Sequence, residues 1–162
     1  IMLHASNAAT SFLEVEKQME KGSIFYTLTA EPLVSFPNGY KPHAGISFPY
    51  HFDNYLALKN KGVSARNYEA HIDSDRNYFP IRWKEGFRSG RLQQAVVSDK
   101  NTEIIDFDRY NSQNIYPIRY MITYAEPEGD YHESLKQHFP QNYSHRFTSE
   151  DGYVRLYEHI PQ

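Results

Sequence analysis

An α/β fold is predicted for this chain: a three-layer, Rossmann-like domain whose mostly parallel sheet carries helices on both faces and an antiparallel C-terminal hairpin at the edge. Three observations predict it. Segments of helical period alternate with short β-branched and aromatic runs, an order that needs crossover connections and therefore parallel strands. One of those runs, "SIFYTLTA" at 23–30, is apolar almost throughout, as expected of a strand covered on both faces. The third is size: 162 residues, 40% hydrophobic and 23% charged, make one ordinary globular domain that can bury a core unaided.

Residues 6–21, "SNAATSFLEVEKQMEK", read as an amphipathic helix. Ser6 or Asn7 can cap it, Phe12, Val15 and Met19 recur on one face, and Gly22 supplies a left-handed stop. The strand 23–30 follows at once. From 31 to about 50, Pro32, Pro37, Pro42 and Pro49 with Gly39 and Gly45 forbid a regular element. Loops of that length in a compact domain are commonly functional. "HFDNYLALKNKG" at 51–62 is a second helix, with Phe52, Tyr55, Leu56 and Lys59 on a shared face and Gly62 at its end. "VSARNYEA" at 63–70 is the second strand.

The stretch 71–112 is the least regular, holding the basic run "IRWKEGFRSGR", a short strand at "QAVVSD" and then "NTEIIDFDRYNSQ". "YPIRYMITYAE" is again a strand, with Pro117 near its start where a missing donor costs least. "GDYHESLKQHF" is a helix with Asp130 and Glu133 spaced as a capping box and Tyr131, Leu135 and Phe139 inward. "YSHRFTSEDGYVRLYEHI" closes the chain as two strands joined at Glu150-Asp151-Gly152.

Composition narrows the chemistry. A net charge of −3 creates no field that would draw the protein to nucleic acid. With no cysteine, thiol catalysis, cysteine zinc sites and disulfides are excluded together. No apolar run nears 18 residues, so no membrane span is predicted, and no signal peptide is evident. Neither G-x-G-x-x-G nor G-x-x-x-x-G-K-[ST] occurs, and the G-x-S-x-G elbow is missing, so no nucleotide cofactor or serine hydrolase is expected. The opening Ile1-Met2 fits a single domain, 1–162, excised from a larger protein.

The densest polar-aromatic stretch is "ARNYEAHIDSDRNYFPIRW", 65–83. If its middle is extended, His71, Asp73 and Asp75 point to one side and offer ligands for a divalent metal, with His51 and Asp53 as companions. The plainer alternative is a solvated turn, since Asp and Ser bond their own backbone. Arg82, Lys84, Arg88 and Arg91 could meet phosphate or lipid head groups, against the simpler reading of solvated surface. The 14 Tyr, 10 Phe and 1 Trp can stack on sugars or fill half-buried positions.

Two segments together carry a resemblance: "HFDNYLALKNKG" running through "NYEA" to "YFPIRW", and the tail "IRYMITYAE", helix, "GYVRLYEHI". They resemble the soluble C-terminal domain that follows the membrane helices in bacterial multi-spanning proteins related to lipid-linked-sugar glycosyltransferases. His51, Asn67, Tyr68, Glu69 and Phe79 match recurrent positions of that pattern. The resemblance implies that sugar transfer occurs on loops between membrane helices, so no catalytic residue carries over to this chain. It also implies a place on the extracytoplasmic, periplasmic face of the membrane, beside the protein's own upstream membrane helices or a membrane partner. The expected role is non-catalytic: binding or positioning a glycan or polyprenyl-phosphate sugar, without a cofactor. Because ligands sit outside the carboxyl ends of parallel strands, the expected ligand face comprises His51, Tyr55, Asn67, Tyr68, Glu69, Phe79 and Trp83. Two alternatives stand beside it: a free-standing small enzyme with a His/Asp centre, and a purely structural interaction module.

Overall fold

The computed structural model of the chain describes residues 10–30, 48–65, 96–97, 107 and 117–161. A helix over residues 10–16 (α1) leads into strand β1, Ile24–Ala30. Helix α2, Phe48–Asn60, precedes β2, Val63–Ser64, and a second two-residue strand, β3, is Val96–Val97. Strand β4, Tyr120–Tyr124, helix α3, Tyr131–Lys136, and strands β5, Tyr143–Thr148, and β6, Val154–His159, complete the order.

All six strands join one sheet in the order β2-β1-β4-β6-β5, with β3 also paired to β1. The parallel pairings all centre on β1: β2 lies along its start at Ile24↔Val63, β3 along its end at Thr29↔Val96, and β4 along most of its length. The other half is antiparallel, β4 with β6 and β6 with β5. This corrects the expectation of a three-layer Rossmann-like domain with a mostly parallel sheet. Among the described residues the sheet is mixed, two of its parallel members are only two residues long, and the helices are few and short. The physical reason lies in the tail. β4 and β5 run in the same direction across α3, as a crossover requires, but the last strand turns back and fits between them. Periodicity reveals a crossover and is blind to a strand inserted later.

The two faces of the sheet hold separate cores. On one, Phe12 and Val15 of α1, Met19 just beyond it and Leu56 of α2 pack on Phe25, Tyr120, Ile122, Tyr124, Val154 and Leu156. Phe12 stacks on Phe52 at 5.1 Å between ring centroids, which locks the two helices together. On the other, Leu135 and Phe139 with Phe107 cover Ile24, Tyr26, Leu28, Met121 and Tyr157. Each such side chain contributes roughly 1.5–3 kcal/mol on leaving water. β4 is buried at every residue because both faces are covered. In β5 a bulge between His145 and Phe147 breaks the alternation, so Tyr143 serves one core and Phe147 the other.

Three local expectations are corrected. In α2 the inward residues are Phe52, Asp53, Leu56 and Asn60, whereas Tyr55 is 41% exposed and Lys59 lies over its ring. At the end of α2 the left-handed residue is Lys61 (φ +56), with Gly62 N–H bonded to Ala57 O and Lys61 N–H to Leu58 O. Gly62 is needed instead for contact: a Cβ there would lie 2.2 Å from Ser23 O and 2.6 Å from Asn60 Oδ1. In α3 the buried residue of the first turn is His132, not Tyr131, and Asp130 makes no side-chain cap bond. Asp130→Ala is accordingly expected to change stability by less than about 0.5 kcal/mol, against the ~1 kcal/mol typical of a working cap. Urea denaturation measures it, and a loss near the full cap value would show that the side chain caps after all.

Candidate functional site

The amino ends of β1 and β4 converge with the carboxyl end of β6. Around that junction lies an open cleft of about 550 Å³, lined by Glu20, Lys21, Ser23, Arg119, Glu158 and His159 with an apolar rim from Pro117 and Pro161. Its volume falls in the ~300–1,000 Å³ span of small-ligand sites.

The backbone that builds the cleft is tied down locally. Gly22 adopts φ +80, its N–H bonds to Asn60 O at 2.9 Å, and Ser23 Oγ donates to Asn60 Oδ1 at 3.2 Å. The turn between α1 and β1 is thus fastened to the end of α2 immediately before β1 begins. Ser23 O accepts from Val63 N–H at 3.0 Å and Ile24 O from Arg119 N–H at 2.8 Å, extending the sheet ladder to the cleft wall. Arg119 therefore stands at a fixed height, one residue before β4.

Glu20, Arg119 and Glu158 in the cleft, with Arg146 beyond Glu158 on β5, form a row of four charges of alternating sign. Arg119 Nη1 meets Glu20 Oε2 at 2.5 Å, Arg119 Nη2 meets Glu158 Oε1 at 3.1 Å, and Arg146 Nη1 meets Glu158 Oε2 at 2.5 Å. Tyr120 adds a hydroxyl: it accepts from Glu20 N–H at 3.2 Å and donates to Glu158 Oε1 at 3.4 Å. Lys21 pairs with Glu16, so each cation of the cleft has a carboxylate. Pairs this exposed contribute little to stability, at most ~1 kcal/mol each. Their effect is to orient the groups. At the far wall the Asn142 side-chain amide lies 2.5 Å from His159 Nε2 and ties the imidazole to the start of β5.

A second polar cluster is closed rather than open. His132 is 1% exposed beneath α3. Its Nε2 lies 3.1 Å from Gly152 O and its Nδ1 2.7 Å from Thr123 Oγ1. A carbonyl only accepts, so Nε2 carries the proton and Nδ1 receives the Thr123 hydroxyl. Burial, reinforced by the Arg155 guanidinium, lowers the pKa of His132 to about 4. The imidazole is therefore a neutral tie between α3, β4 and the β5–β6 turn. That turn is built on Asp151, whose carboxylate accepts from Ser149 Oγ, Tyr153 N–H and, across the sheet, Ser11 Oγ.

Of the residues predicted to bind ligand, Tyr55 stands on the outer side of α2, and His51 has its backbone in the same helix. Asn67, Tyr68, Glu69, Phe79 and Trp83 lie outside the described residues, as do His71, Asp73 and Asp75 of the predicted metal site. Among the described residues no three His, Asp or Glu side chains converge on a metal position, and no helix is long and apolar enough to cross a membrane.

The cleft residues escaped the sequence reading because they are far apart in the chain; Arg119 and Glu158 are separated by 39 positions. A usable signal did exist. "PIRY" and "YEHI" each place a charge beside a strand terminus, and antiparallel pairing of the two strands sets Tyr120 opposite Glu158. Compared with family models, curated proteins and solved structures, the chain matches none of them.

Proposed function

We propose that this chain is a non-catalytic extracytoplasmic domain that binds or positions a glycan or lipid-linked sugar for a glycosyltransferase-like membrane protein. The observation that carries the reading is the cleft, where carboxylates and a guanidinium are held in place by one another and by the sheet ladder. Fixed, mutually compensated donors and acceptors suit recognition of a polar, hydroxyl-rich molecule. The "RLY" tail of the resemblance is spent on structure: Leu156 fills one core, Tyr157 the other, and Arg155 reaches Glu133 at 3.3 Å. A signature used for packing is consistent with a domain that supports chemistry carried out elsewhere.

Titrating the isotope-labelled chain with oligosaccharides and with a short-chain polyprenyl-phosphate sugar tests the reading. Saturable amide shifts are expected with at least one of them, at dissociation constants from micromolar to millimolar. Spectra that stay unchanged throughout both series would remove the glycan-binding role.

A further inference from the structure

Resting on that reading, we infer that the sugar is engaged at the amino ends of β1 and β4, by Arg119, Glu20 and Glu158, and that it is an uncharged pyranose rather than a phosphate or an acidic sugar. Position comes from the sheet. Ligands of open parallel sheets sit outside the carboxyl ends of the strands, but here the insertion of antiparallel β6 beside β4 brings Glu158 and His159 to the opposite end. A cleft opens where a uniformly parallel sheet would have none.

Ligand class comes from charge and shape. Arg119 lies between two carboxylates and Lys21 beside a third, so the cleft carries no surplus positive charge to attract phosphate. An anion would have to displace Glu20 or Glu158 from the guanidinium. A vicinal diol has no such conflict: one hydroxyl donates to a carboxylate oxygen while its neighbour accepts from the guanidinium edge. The exposed rings of Pro117 and Pro161 on the rim give the C–H face of a pyranose a surface to cover. Glu158 is 20% exposed and Glu20 60%, so the first is fixed and the second can adjust to the ligand.

The test uses the full 162-residue chain, labelled with nitrogen-15. Methyl glycosides of glucose, galactose, mannose and N-acetylglucosamine are the neutral probes, and inorganic phosphate is the anionic one. At least one glycoside should shift the amides of Gly22, Ser23, Ile24, Arg119 and His159 in a saturable way. Glu158→Gln should then weaken that binding about tenfold or more, as loss of a charged hydrogen bond does. Glu20→Gln, at a more exposed site, should weaken it a few-fold and serves if the first variant folds poorly. Phosphate shifting these amides while the glycosides do not would overturn the inference. So would glycoside binding that both variants leave unchanged. A lipid-linked sugar that binds the chain and leaves the cleft amides unmoved would overturn the cleft assignment while the accessory role stands.

Discussion

His132→Ala is expected to lower the stability of the domain by about 4 kcal/mol near neutral pH. The side chain is buried, and its removal takes a hydrogen-bond partner from the Thr123 hydroxyl and from the Gly152 carbonyl while leaving a cavity on the inner side of α3. The cost is also pH-dependent, with a definite sign. Folding holds the imidazole neutral, with its pKa lowered to about 4 from an ordinary 6.5, first by burial and then by Arg155. Between pH 6.5 and about 4 the unfolded chain takes up a proton there that the native state does not. Stability from this residue is thus complete above pH 6.5 and falls on acidification, by about 3 kcal/mol once pH 4 is reached. The alanine variant has no such proton to gain. Urea unfolding of both proteins across this range should show a gap of about 4 kcal/mol at pH 7 shrinking to about 1 kcal/mol at pH 4. A gap that stays constant with pH would mean that His132 is not held neutral in the fold.

Gly62→Ala should cost about 3 kcal/mol, through contact rather than backbone strain. Gly62 is not among the residues with positive φ; that conformation falls on Lys61. The added Cβ would lie 2.2 Å from Ser23 O, an atom that already accepts from Val63 N–H at 3.0 Å. Relief requires moving the start of β1 away from β2, and with it the cleft wall at Gly22 and Ser23. Lys61→Gly is the control: it removes a side chain from a left-handed position and should be neutral or slightly stabilising. Thermal unfolding of the two variants separates the causes. A Gly62→Ala protein within 1 kcal/mol of the parent would show that the two segments are not in such close approach.

The sequence carried most of the local structure in the described parts. Phe12, Val15 and Met19 recur at helical spacing and are buried together, and the continuous apolar run of 24–29 is buried on both faces of the sheet. Those patterns are legible because a helix or strand places neighbouring side chains by fixed geometry. Legibility failed where a residue's role depends on a distant partner. Tyr55 and Tyr131 read as inward on hydrophobicity alone, yet the positions facing the sheet belong to Asp53 and His132. A buried His is acceptable here only because Thr123 and Gly152 satisfy both ring nitrogens, and neither is a neighbour in sequence.

The candidate site shows the same division more sharply. The contiguous polar stretch 65–83 lies almost wholly outside the described residues, whereas the cleft draws on the turn between α1 and β1, the start of β4 and the end of β6. Hydrophobic period, turn residues and the absence of cysteine are properties of the chain as written, and by themselves they indicated the order of helices and strands in the described parts, though not their bounds, and excluded thiol chemistry. Whether β6 would lie at the edge or slip between β4 and β5 was decided only in three dimensions, because strand pairing is a competition among whole faces and edges that no local window contains. That one placement set an antiparallel strand beside β4, brought Glu158 to Arg119, and built one wall of the cleft.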